Sequence, residues 1–139
     1  MKRWSKLKKK VEALWTPDLD MAIHCNSLRR YTNHDHYDLE RHWIILNGEI
    51  VWDRMAEFPY TFPTRTSQVL DQYLMCPVDE LLTRKFDEDH FGLGDVLRAA
   101  DRRLGKTRLF AWRLAMPPGP SPAVEVLKAR FPKREKVAA

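Results

Sequence analysis

Between residues 4 and 15 the apolar positions Trp4, Leu7, Val11, Leu14 and Trp15 recur three and four apart, with Lys6, Lys9 and Lys10 around the rest of the circumference. That spacing predicts an amphipathic helix over 4–14, docked by its tryptophans and ended by Pro17. The Lys run reads as its solvated face. The period then shortens. Residues 21–31 read as a strand, and Trp43-Ile44-Ile45-Leu46 and Ile50-Val51-Trp52 flank Asn47-Gly48 as the arms of a hairpin over 42–54. Asn-Gly supplies the two positive-φ residues of a type I′ turn. Trp43 and Trp52 bracket the turn and are expected to pack across the strand pair, inside the core.

Downstream, Phe58-Pro59-Tyr60-Thr61-Phe62-Pro63 cannot run as a helix, because proline restricts itself and the residue before it. This extended aromatic segment suits a groove, a partner surface or the core edge. Two short helices are expected near 67–75 and 78–86, separated at Pro77. Asp87-Glu88-Asp89-His90 is a polar break before Gly92 and Gly94. Asp95 is read as the cap of a helix with Val96, Leu97, Ala100 and Leu104 inward, stopped by Gly105. Phe110, Trp112 and Leu114 alternate as on one face of a strand over 107–115. After the linker Pro117-Pro118-Gly119-Pro120, Ser121 caps a helix with Pro122 at its first position. Its Val124, Leu127 and Phe131 stripe can dock on the body or on a second subunit.

The predicted fold is α+β: an antiparallel sheet of about four strands (21–31, 42–46, 49–54 and 107–115) with helices packed mainly on one face. Residues 1–116 form one α+β domain, and 117–139 a Pro-linked C-terminal helix and basic tail. The 139 residues, 44% apolar and 11% aromatic, suffice for a real core. No apolar run approaches the roughly 18 residues of a membrane span, and no apolar stretch follows the basic start as in a secretory signal. Cys25 and Cys76 have no metal-pair spacing and are expected to stay reduced in the cytoplasm. The net charge of +5 hides an asymmetry: residues 1–10 carry +6, residues 128–139 carry +4, and the body between carries −5. A mildly acidic body with basic ends is not the single-sign surface of a dedicated nucleic-acid binder, although the basic termini keep nucleic acid as an alternative partner.

Four of the five histidines, His24, His34, His36 and His42, lie within nineteen residues, among Asp35, Asp38 and Glu40. His34-Asp35-His36-Tyr37-Asp38 spells the H-x-H-x-D opening of the metallo-β-lactamase motif, but Leu39 stands where that motif needs its next histidine. A simpler zinc or iron site from His34, His36, His42 and a carboxylate is chemically sound, provided the ligands converge. Otherwise these imidazoles are solvated side chains on the loop feeding the hairpin, and no cofactor is required. Asp87, Glu88 and Asp89 lack the spacing of an EF-hand. No G-x-x-x-x-G-K-S/T, G-x-G-x-x-G or G-x-S-x-G occurs, and neither cysteine has a nucleophile's local signature. Arg102, Arg103, Lys106 and Arg108 complement the dipole of the preceding helix, or else meet a phosphate or an acidic partner.

Trp4-Ser5-Lys6-Leu7-Lys8, Trp43-Ile44…Gly48-Glu49-Ile50 and Asp101-Arg102-Arg103-Leu104-Gly105-Lys106-Thr107-Arg108-Leu109 together resemble a small uncharacterised bacterial family without an assigned activity. Its members open on a W-S-K-L-K helix, carry a W-I-x-x-x-G-x-E-I-like hairpin, which this chain fits approximately, and end in D-x-R-x-G-K-x-R-L. Proteins of this kind also occur on mobile elements, including integron cassettes, so the resemblance implies a bacterial accessory role. It implies no catalytic residues.

The reading therefore leans away from an enzyme and toward a binding or protein-interaction module, a homodimer among the options. Its contact residues are expected among Trp43, Trp52, Phe58, Tyr60, Phe62, Arg102 and Arg103, with a protein partner, a second copy or a small molecule as ligand. The alternatives are a small metal-dependent enzyme using His34, His36 and His42, and a nucleic-acid binder using the basic termini.

Overall fold

A computed structural model describes residues 4–31, 36–55, 65–87, 89 and 92–132. The chain is α+β. Helix α1 (Trp4–Glu12) leads into strands β1 (Met21–Tyr31), β2 (His36–Leu46) and β3 (Glu49–Met55). Helix α2 (Arg65–Met75), a single 3-10 turn (Val78–Glu80) and helices α3 (Leu93–Ala100), α4 (Lys106–Leu114) and α5 (Pro122–Arg130) follow. The described strands form one antiparallel sheet in the order β1-β2-β3.

The hairpin turns where the sequence places it, with Asn47 at φ 51° and Gly48 at φ 85°. Between Ile44 and Ile45 the register slips, because Ile44 faces Trp52 whereas Ile45 faces Ile50, leaving Val51 as an extra residue in β3. Strand parity then sorts the side chains. Ile23, His42, Ile44, Leu46 and Trp52 are buried on one face, and His24, Arg41, Trp43 and Asp53 lie partly or fully exposed on the other. Trp43 pairs with Asp53 and Trp52 with Ile44, so the two indoles stand on opposite faces and do not pack across the pair as expected.

Helix α1 buries Leu7 and Val11 and also clasps the edge of the sheet. Lys8 and Glu12, one turn apart, grip the backbone of a single residue of β1. Glu12 Oε2 accepts from the Ile23 N–H at 2.9 Å, and Lys8 Nζ donates to the Ile23 carbonyl at 2.5 Å and to Glu12 at 2.8 Å. At Ile23 the edge strand's outward N–H and C=O are thus satisfied by side chains.

Helix α3 is the centre of the helical part: Leu93, Gly94, Val96, Leu97, Arg98, Ala99 and Ala100 are all buried. Arg98 keeps its charge paired there. Its guanidinium donates to Asp95 at 2.8 Å, to the Leu81 carbonyl at 2.5 Å and to the Arg84 carbonyl, and it lies 4.9 Å over the Phe86 ring. Helix α5 packs chiefly on α3 of the same chain.

Four elements meet just past α3, at a carboxylate with no exposed surface. Asp101 Oδ2 accepts from the Tyr73 hydroxyl of α2 at 2.6 Å and from Arg103 Nη2 at 2.8 Å. Its Oδ1 accepts from the Arg103 N–H at 2.8 Å and from Nε at 3.0 Å. Burial, reinforced by the Asp101 charge, pushes the Tyr73 phenol far above its ordinary range, so it stays a donor. The backbone around Asp101 is tied from two sides. The chain leaving α1 pairs with it: Thr16 N–H to the Ala100 carbonyl at 2.8 Å, and Arg102 N–H to the Leu14 carbonyl at 2.7 Å. From α5, Arg130 donates to the carbonyls of Ala99, Asp101 and Leu104 at 2.9, 2.9 and 2.7 Å, satisfying groups a helix end leaves orphaned.

Several expectations are corrected. Residues 107–115 are not a strand. Three alternating apolar positions fit either period, and here Lys106–Leu114 is helical with only Leu109 buried. Gly105, expected to stop α3, is instead the extended N-cap of α4 (φ −88°, ψ 171°), and α3 ends earlier, at Asp101 (ψ 120°). The N-cap of α3 is Gly92 in the left-handed region, not Asp95, and the helix expected over 78–86 is one 3-10 turn. The described sheet holds three strands rather than about four.

Because removing one member of a buried ion pair strands the other, Asp101→Asn should lower the unfolding free energy by about 3 kcal/mol. Tyr73→Phe, which removes a single hydrogen bond, should cost about 1–1.5 kcal/mol. Urea unfolding of the two variants checks both values and their order.

Candidate functional site

Among the described residues, those singled out from sequence do not converge. Trp52 is buried in the core and presents nothing to a partner. Trp43 sits on the opposite face within a row of its neighbours, with the Arg41 guanidinium 4.7 Å over its ring and the His24 imidazole 5.4 Å away. Arg41 in turn grips Asp53 through two hydrogen bonds, at 2.9 and 2.6 Å, which raises its own pKa and holds the Asp53 carboxyl below the usual range. Arg103 is committed to Asp101, and Arg102 Nε donates to the Ala13 carbonyl at 3.0 Å. Asp101, Arg103 and Gly105, the core of the D-x-R-x-G motif, thus tie α3 to its neighbours and begin α4. His34, Phe58, Tyr60 and Phe62 lie outside the described residues.

His42 is not bathed in water. It is a buried residue of β2, its ring 5.0 Å from that of Trp4 in an edge-on contact, and burial lowers its pKa to about 4. His36 begins the same strand six residues earlier, roughly 20 Å away along an extended chain. That separation is too great for His36 and His42 to share one metal ion, and no cluster of three metal-ligating side chains occurs among the described residues.

The feature with the chemistry of a binding face is built from α4 and α5. Gly105, in extended backbone, is the N-cap of α4, and Leu109 anchors that helix to the core. Phe110, Arg113 and Leu114 then fall at i, i+3 and i+4, on one side of the helix. Arg113 donates to the carbonyls of Pro117 and Gly119 at 3.2 and 3.1 Å, fastening the proline-rich connection back toward α4. Ser121 accepts from the Val124 N–H at 3.2 Å and Pro122 fills the first turn, which starts α5. Helix α5 buries Ala123, Val126 and Leu127.

Between the two helices lies a groove of about 270 Å³ lined by Phe110, Arg113, Val124, Leu127, Lys128 and Phe131. The Phe110 and Phe131 rings meet edge-to-face at 5.4 Å and close part of its wall. Phe110 is 41% exposed, and Leu114, one turn further along α4, is 86% exposed. The floor is apolar and the two charged side chains that line it, Arg113 and Lys128, are cationic, Lys128 lying 3.9 Å from the Glu125 carboxylate. Lys106 lies 5.5 Å over the Phe110 ring and Arg130 5.0 Å over that of Phe131.

The sequence flagged half of this face, the Val124, Leu127 and Phe131 stripe. It missed the other half because residues 107–115 were read with a strand's period. The signal that would have found it is Gly105 as the start of a helix in which Leu109 and Trp112, three residues apart, face the core.

Comparison of the chain with protein-family models, curated proteins and solved structures finds no match.

The His42 environment sets a pH dependence. In the unfolded chain its imidazole takes up a proton near pH 6.5, in the folded chain only near pH 4. As pH falls through that window the unfolded state binds the proton first, so stability is lost, by about 3 kcal/mol from this group. Urea midpoints of the wild type and His42→Leu should diverge accordingly, the wild type losing more stability between pH 7 and pH 4.

Proposed function

We propose that this protein is an interaction module without catalysis of its own, which engages a protein partner or a second copy through the α4–α5 face. One observation carries the reading. Leu7, Val11, Ile23, Ile44, Leu70, Leu97, Leu104 and Leu109 are all shielded from solvent, yet Phe110 and Leu114 stand exposed beside an apolar groove. Scattered surface leucines need no explanation, but exposed aromatic and aliphatic side chains flanking a groove are the usual composition of a contact surface. A bacterial accessory role, which the sequence resemblance implies, and a cytoplasmic location, expected from the two thiols, are consistent with such a module. No described helix is long and apolar enough to cross a membrane.

Photo-crosslinking tests the reading. A benzophenone side chain at position 114 in the full chain, irradiated in the cells that make the protein, should give protein adducts. The same group at the exposed Glu49 should give few. A covalent dimer from position 114 would support self-association through this face. Equal or absent adducts at the two positions would remove the α4–α5 face from consideration.

A further inference from the structure

We infer that the occupant of the α4–α5 groove is an acidic amphipathic helix of a partner protein, an inference that rests on the proposed interaction role of this face. The first argument is size. At about 270 Å³ the groove falls just below the range of roughly 300–1,000 Å³ in which small-molecule pockets cluster, and it is lined by Phe110, Val124, Leu127 and Phe131. It takes one or two apolar side chains projecting from a larger body.

The second argument is shape. The walls are two helices, so a third helix laid alongside at the usual interaxial distance of about 8–10 Å can insert anchors spaced i and i+3 or i+4. A bilayer surface has no such projecting anchors to fill a concavity.

The third argument is charge. Arg113 and Lys128 line the groove itself and Lys106 lies over the Phe110 ring at its wall, while the one acid of the two helices, Glu125, stands 3.9 Å from Lys128 and leaves a net positive lining. Arg113 is already held by the carbonyls of Pro117 and Gly119, so little ordering is needed for it to meet a carboxylate. A two-fold dimer through this face would instead bring Arg113 and Lys128 against copies of themselves, which opposes a second copy as the occupant.

The test pans a phage-displayed library of random peptides about 16 residues long, some four helical turns, against the immobilised full chain. Recovered peptides are then synthesised and measured by fluorescence anisotropy. Enrichment of sequences with apolar anchors at helical spacing and Asp or Glu beside them is expected. Their dissociation constants should rise more than about tenfold with Phe110→Ala, an anchor contact, and about two- to fivefold with Lys128→Glu, a rim charge. Raising salt from about 0.1 to 1 M should weaken them further, as the screening length falls from roughly 10 to 3 Å. Circular dichroism and urea unfolding confirm that both variants remain folded. The inference is overturned if nothing is enriched, if enriched peptides lack acids, or if Phe110→Ala and Lys128→Glu leave binding unchanged. Binding only to vesicles of equal parts phosphatidylcholine and phosphatidylserine overturns it too. In each of those cases adducts from position 114 would still uphold an interaction face with another occupant, whereas their absence would defeat both readings.

Discussion

The helical half of this protein converges on one buried carboxylate. Asp101 sits where α3 ends, and its two oxygens collect the Tyr73 hydroxyl from α2 together with the backbone and guanidinium of Arg103. The chain leaving α1 and the Arg130 side chain of α5 close on the same stretch of backbone. A charge without exposed surface persists only where hydrogen bonds replace the water it has lost. The carboxylate therefore demands that α2, α3 and the following turn arrive together, and that geometry sets where α4 begins. The groove is a downstream result of this arrangement. Gly105 and Leu109 aim α4 outward, and Arg130, which fixes the backbone at Asp101, also lies over the Phe131 ring at the groove's edge.

How much of this was legible depended on whether the signal was local. Asn47-Gly48 needs no tertiary context, because the positive φ of both residues is a local matter, and the hairpin turns there. Ser121-Pro122 is equally self-contained and begins α5. Periodicity succeeded for α1, where about three turns of pattern agree, and failed at 107–115, where Phe110, Trp112 and Leu114 are too few to separate a period of 2 from one of 3.6. Long-range partners were beyond reach altogether. Nothing near Arg103 in the sequence says that it closes on a carboxylate two residues back, or that Tyr73 joins them from another helix.

The histidine cluster shows the same limit from the chemical side. Read along the chain, four imidazoles among acids invite a metal. Among the described residues, strand geometry separates His24 from His42: His24 lies beside Trp43 on the partly exposed face, and His42 is buried on the other against Trp4. Residues close in sequence are thus placed apart by pleat and extension alone. The residues of the α4–α5 groove, by contrast, are drawn from two helices separated by a proline-rich connection, and no motif unites them.

The grip of Lys8 and Glu12 on the Ile23 backbone has a wider consequence. An open strand margin is the easiest place for a stray β-segment to add itself, by register-tolerant main-chain pairing that discriminates poorly among sequences. On the β1 side, at Ile23, that avenue is closed by two long side chains standing in for a neighbouring strand. Sheet growth is thereby hindered at that point, whereas side-chain-selective contacts on the helices would let shape and charge tell one companion from another.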